Sequence, residues 1–151
     1  MSLKRYFHKP KDQNTFRHSV AWFALCTALA LHVLDEALSN FLDFYNPLIR
    51  SFKEKLPYLP LPTFTFDVWL SGLTGAILFL FSLTPLVFRG VKWLKLFSIV
   101  FSGFMIMNGL GHLVGSVFLG RLLPGVYSSP FLIVAAVNLL VSVRTVNQSV
   151  D

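Results

Sequence analysis

His32, Asp35 and Glu36 fall within five residues of one another in a strongly apolar run, and His112 falls in another. These side chains could do chemistry. Imidazole and carboxylate both ligate metals and both exchange protons. Hydrocarbon tolerates such groups poorly: Asp at the centre of a membrane helix costs about 2.5–3.5 kcal/mol on insertion scales. Ionisable groups kept there are functional-site candidates by default.

Residues three and four apart share a helix face. A helix would therefore line His32, Asp35, Glu36 and Ser39 along one side, and Asn108, His112 and Ser116 along another. The first set could hold zinc or iron, with His112 completing the shell from a second helix. The same groups could act as general acid and base without metal. A third reading is internal hydrogen bonding, with Asp35 or Glu36 paired to His112 or Arg121. The residues alone leave these three open.

The elements that must position them are membrane helices. The chain has 151 residues, 54% hydrophobic and 13% charged, with 16 Phe. Soluble domains carry roughly 25% charged residues. Four spans are predicted, at about 19–41, 67–88, 95–119 and 125–144, each close to the roughly 20 apolar residues that cross a bilayer. The predicted fold is an all-α integral membrane protein, a bundle of four transmembrane helices. It divides into a basic tail at 1–18, a membrane domain at 19–144 with a long loop at 42–66, and a C-terminal tail at 145–151.

Nine of the 13 Lys and Arg fall in the N-terminal tail, the 89–95 loop and the C-terminal tail. Positive charge marks the cytoplasmic side, so both termini are expected in the cytoplasm of a multi-pass cell-membrane protein. The first apolar run lacks a small-residue cleavage pattern and leads into Asp35 and Glu36, so it reads as a retained span. The net charge of +6 comes from these flanks rather than from a basic helical face, which argues against a nucleic-acid partner. The single cysteine, Cys26, forms no metal motif and no disulfide framework.

In the long loop, segment 44–56 mixes apolar and charged residues as a surface helix does, and Pro57, Pro60 and Pro62 then force extended chain. Trp22, Trp69, Trp93 and Tyr127 fall near span ends, where interfacial aromatics gather. At about 1.5 Å per residue, His32 lies about 20 Å and His112 about 25 Å from the cytoplasmic ends of their spans. Both stripes should thus sit in the outer half of the membrane. Gly111 and Gly115 flank His112 in a spacing that lets helices approach closely. Asn138 is expected to hydrogen-bond between helices, and Thr74 to bond its own helix. His8 and His18 are expected to be solvated or interfacial.

With these residues in place, the chain resembles the HXXEE family of small membrane proteins, described by H-x-x-E-E, a further histidine and Y-x-P-G. The first motif stands here as His32-Val33-Leu34-Asp35-Glu36, the further histidine as His112, and the third as Leu122-Leu123-Pro124-Gly125. The similarity runs from about Trp22 to about Leu140. Asp35 replaces the first Glu and shortens its reach by one methylene. Leu122 replaces the Tyr and removes its hydroxyl. The family carries no assigned activity, so the resemblance implies a functional polar site more than a reaction. Pro124-Gly125 suits a tight turn between the last two spans, and Arg121 beside it reads as an interfacial anchor.

The leading expectation is a metal or proton-active site formed by His32, Asp35, Glu36 and His112, with Asn108 orienting His112 and Arg121 at the rim. As an enzyme it would be a metal-dependent hydrolase or an acid–base isomerase acting on a lipid-like substrate. The alternatives are a small proton- or cation-handling transporter, which needs a homo-oligomer, and an accessory subunit of a larger membrane complex.

Overall fold

A computed structural model of the protein describes residues 13–148, with side chains to residue 143. The tail residues Lys4, Arg5, His8, Lys9 and Lys11, and the Arg144 side chain, lie outside the described residues. Among the described residues six helices follow in order: α1 (Gln13–Leu38), α2 (Phe41–Lys55), α3 (Phe66–Ser82), α4 (Thr84–Phe88), α5 (Lys92–Leu119) and α6 (Ser129–Gln148). Three stretches among the described residues are long and apolar enough to cross a membrane: Gln13–Leu38, Phe66–Phe88 and Lys92–Leu119. The fourth predicted span differs. Residues 124–128 are turns, and the apolar helix there is the shorter Ser129–Val143.

The bundle is organised around α6, which packs against both α1 and α5, while α1 also packs against α3 and α4. The buried stripe of α1 runs through His18, Trp22, Leu25, Leu29, His32 and Glu36 at helical spacing. That of α5 runs through Leu94, Ser98, Phe101, Gly109, His112 and Ser116. The α1 stripe is apolar through its middle and polar toward its ends, and the α5 stripe ends in His112 and Ser116, so the helix contacts that bury Trp22, Leu25, Leu94, Leu132 and Leu139 completely also carry the histidines inside.

Several expectations are corrected here. Trp22 and Trp69 are core residues rather than interfacial ones: the Trp22 ring lies 5.9 Å from Phe97 and 5.6 Å from Phe101, and Trp69 stacks on Phe41 at 5.7 Å. His18 is buried, with its Nε2 2.9 Å from Ser98 Oγ. Asn138 is exposed rather than held between helices. Close approach of α5 to α6 rests on Gly109, where a Cβ would lie 2.7 Å from Ile133 Cγ1 and 3.1 Å from the Ser129 carbonyl. A Cβ at Gly111 would meet nothing within 4 Å, and one at Gly115 would meet only the tip of Leu123.

The surface helix expected at 44–56 is α2, which starts at Phe41 and buries Ile49. Extended chain follows it and is tied back by two hydrogen bonds between Asn46 and the Phe64 backbone, and by one from the Tyr45 hydroxyl to the Pro62 carbonyl.

Candidate metal centre

An α-helix turns about 100° per residue. Glu36 therefore stands about 40° around the α1 axis from His32, and Asp35 about 60° to the other side. This rotation splits the acidic pair. Glu36 stays on the buried stripe and faces α5, where its Oε1 lies 3.1 Å from His112 Nε2 and 3.7 Å from His32 Nε2. The two imidazole rings meet edge to face with centroids 4.9 Å apart. His32 is fully buried, and Glu36 and His112 nearly so, at 6% and 8% exposure. One donor atom from each of His32, Glu36 and His112 falls within 4.8 Å of the others.

Asp35 points elsewhere. Its Oδ2 accepts the Ser128 backbone N–H at 2.9 Å and the Ser128 hydroxyl at 2.8 Å, and its Oδ1 accepts the Ser39 hydroxyl at 3.3 Å. Ser128 immediately precedes α6, and its carbonyl accepts the Leu132 N–H. A carboxylate is well placed there, because the first amides of a helix carry a partial positive charge. The Ser128 hydroxyl also lies 2.8 Å from His32 Nδ1. Asn108 Oδ1 lies 3.1 Å from His112 Nε2, one helical turn back along α5.

The loop between α5 and α6 closes over this group. Gly120 ends α5 with φ +60, and the Ser116 hydroxyl accepts the Leu123 N–H while donating to the His112 carbonyl. Ser116 therefore stitches the loop to α5. The Val126 N–H bonds the Leu123 carbonyl around Pro124-Gly125, and Gly125 has φ +83. This is the geometry of a type II turn, with Pro fixing φ at its second position and Gly allowing positive φ at its third. The same glycine does more than turn the chain. A Cβ on it would lie 3.0 Å from Glu36 Cγ, 3.0 Å from His32 Cε1 and 3.1 Å from His112 Cε1. Gly125 is thus the roof of the cluster, held against all three side chains.

The donor set is chemically suited to a divalent cation. Tetrahedral zinc at about 2.0–2.1 Å from each donor sets donors roughly 3.3 Å apart. Two of the observed separations, 3.1 Å and 3.7 Å, bracket that value. His32 Nε2 is buried and, among the described residues, has no hydrogen-bond partner. Such an atom is costly unless something occupies its lone pair. Arg121 stands apart from the group. It is exposed, its guanidinium lies 5.5 Å from the centre of the Phe44 ring, and among the described residues it makes no ion pair. It lines a groove of about 360 Å³ at the α1–α2 corner, with Ser39, Asp43, Phe44, Pro124 and Tyr127.

Sequence reading found His32, Glu36, His112 and Asn108, which the fold brings together. It grouped Asp35 with them, and Asp35 turns to Ser128 instead. It missed Ser128 altogether, and it gave Gly125 only the turn. The Ser128-Ser129-Pro130 run is a helix-start signal, but nothing in it tells which distant carboxylate the serine will meet.

No curated protein and no solved structure matches this chain. A family model described as a protein of unknown function with HXXEE motif matches residues 22–139. That stretch holds the three clustered side chains, Asn108, the Pro124-Gly125 turn and Ser128. The chain belongs to the HXXEE family.

Proposed function

We propose that this protein is a four-span membrane protein that binds one divalent cation, zinc or iron, through His32 Nε2, Glu36 and His112 in the outer half of the bilayer. The observation that carries the reading is the buried His32 Nε2, which has no hydrogen-bond partner among the described residues and lies 3.7 Å from a carboxylate oxygen that also touches His112. Two histidines and one glutamate are a ligand set of zinc hydrolases, which leave a coordination position for water or substrate. Such a metal would supply Lewis-acid and hydrolytic chemistry. The chain's own residues would hold it and Gly125 would exclude water, while Asn108 Oδ1, 3.1 Å from the same His112 nitrogen, would accept that nitrogen's proton when no metal is bound. The groove beside Pro124 and Tyr127, next to exposed apolar surface, suits a lipid-like substrate.

Four spans with both termini cytoplasmic are supported by the three long apolar helices, by α6 packed between two of them, and by the distribution of Lys and Arg. The shorter apolar run of α6 would cross with the turns at 124–128 at the lipid headgroup level.

The test is metal content of the detergent-purified protein, for wild type, His32→Ala and His112→Ala. About one metal per chain in the wild type, absent from both variants, is the expected result. Absence of metal from every sample, including after reconstitution with zinc or iron, would refute the metal reading. The 3.1 Å contact between Glu36 and His112 favours a second reading, a metal-free proton-exchanging pair. Membrane topology is tested with cysteines at Ser51 and Ser2 in a Cys26→Ser background. Labelling of Ser51→Cys from outside intact cells is expected, and labelling of Ser2→Cys from that side would overturn the orientation.

A further inference from the structure

Ser128 Oγ has three polar neighbours besides its own backbone. Asp35 Oδ2 and His32 Nδ1 are each 2.8 Å away, and the Gly125 carbonyl is 3.2 Å away. A serine hydroxyl has one proton to donate. A carbonyl oxygen can only accept, and Asp35 Oδ2 already accepts the Ser128 N–H at 2.9 Å. The hydroxyl proton therefore goes to an oxygen, and the nitrogen at 2.8 Å must be the donor. In a neutral imidazole, a proton on Nδ1 leaves Nε2 as a bare lone pair. That is the atom found buried without a hydrogen-bond partner and facing Glu36.

We infer that the Ser128 hydroxyl, anchored by Asp35, fixes His32 as its Nδ1–H tautomer and so keeps Nε2 free for a ligand. Asp35 and Ser128 are positioning residues. The charge of Asp35 reaches the imidazole through one hydroxyl, where many metal sites use a direct carboxylate–histidine bond. The arrangement also assigns the acidic pair two jobs. Glu36 supplies a donor atom to the cluster, and Asp35 sets the tautomer from the adjacent helix face. Because Ser128 opens α6 and Gly125 roofs the cluster, the relay and the roof belong to one short loop, and movement of that loop would disturb both together.

The consequence for metal affinity rests on the metal reading above, but the tautomer does not, and the experiment separates them. Protein labelled with ¹⁵N-histidine, metal-free and at a pH where imidazole is neutral, reports the protonated nitrogen of each ring directly. The His32 signal is identified by its loss in His32→Ala. Wild type is expected to show His32 protonated on Nδ1. Ser128→Ala, which keeps the backbone N–H to Asp35, should lose that preference, and Ser128→Thr, which keeps a hydroxyl, should restore it. In zinc titrations, Ser128→Ala should bind about 10–100-fold more weakly, the usual effect of removing an outer partner of a metal-ligating histidine, with one site retained. His32 protonated on Nε2 in the wild type, or an unchanged tautomer in Ser128→Ala, would overturn the relay whatever the metal content. An Nδ1–H signal in a wild type that binds neither zinc nor iron would uphold the relay and refute the metal reading. If His32→Ala does not fold, the His32 signal is identified instead by its loss in His32→Gln, which fills more of the buried space.

Discussion

Gly125→Ala is the sharpest perturbation of the site, because the added methyl meets every member of the cluster and the backbone there disfavours a side chain. The φ of +83 costs an L-residue roughly 1–2 kcal/mol. The Cβ would stand 3.0, 3.0 and 3.1 Å from carbons of Glu36, His32 and His112, where carbon pairs prefer about 3.5–4.0 Å. Overpacking of a filled interior costs typically about 1–3 kcal/mol. The expected loss is therefore about 2–5 kcal/mol, with the cluster pushed open. Gly120→Ala is the control. Its φ is +60, but a Cβ there meets nothing within 4 Å, so it should lose only the backbone share of about 1–2 kcal/mol. Reversible unfolding in mixed micelles, followed by tryptophan fluorescence, measures both variants, and zinc titration measures the site. If Gly125→Ala is no less stable than Gly120→Ala and binds zinc like the wild type, the glycine is not the roof of the cluster.

Gly109→Ala should lose about 1–3 kcal/mol in the same unfolding assay, because its Cβ would meet Ile133 and the Ser129 carbonyl, whereas Gly111→Ala should gain about 0.5–1 kcal/mol by stiffening an exposed helix position. Trp22→Ala should cost about 3–5 kcal/mol, since the indole is completely buried against Phe97 and Phe101; an interfacial tryptophan would lose far less. Glu36→Gln keeps the side-chain shape and an oxygen for His112, so unfolding should shift by only about 1 kcal/mol while metal content in the purified protein falls to background.

Much of the site was legible because helical spacing is local. His32 and Glu36 are four apart, as are Asn108 and His112, and any helix through them puts each pair on one face. The rise per residue also placed the two stripes at similar depth, and the rings indeed meet at 4.9 Å. The family motif pointed to the same histidines and to Pro124-Gly125. Rotation about a helix axis was harder to judge. Asp35 and Glu36 look equivalent in sequence, yet about 100° separates them, enough to send one to α5 and the other to the start of α6. His18 and Trp22 show the same limit: position near a span end says nothing of which neighbour covers the face.

By itself, the sequence determined the helical, apolar character of the chain, the shared faces of His32 with Glu36 and of Asn108 with His112, and the turn at Pro124-Gly125. All of these depend on residue type and on spacings of a few residues. Only the tertiary structure decided that Gly109 rather than Gly111 lets α5 and α6 close, that Gly125 lies against the cluster, and that Ser128 stands between Asp35 and His32. Ser128 is 96 residues from His32 in the chain. A contact over that separation is set by how α1, α5 and α6 pack together, a property of the whole buried core that no local spacing encodes.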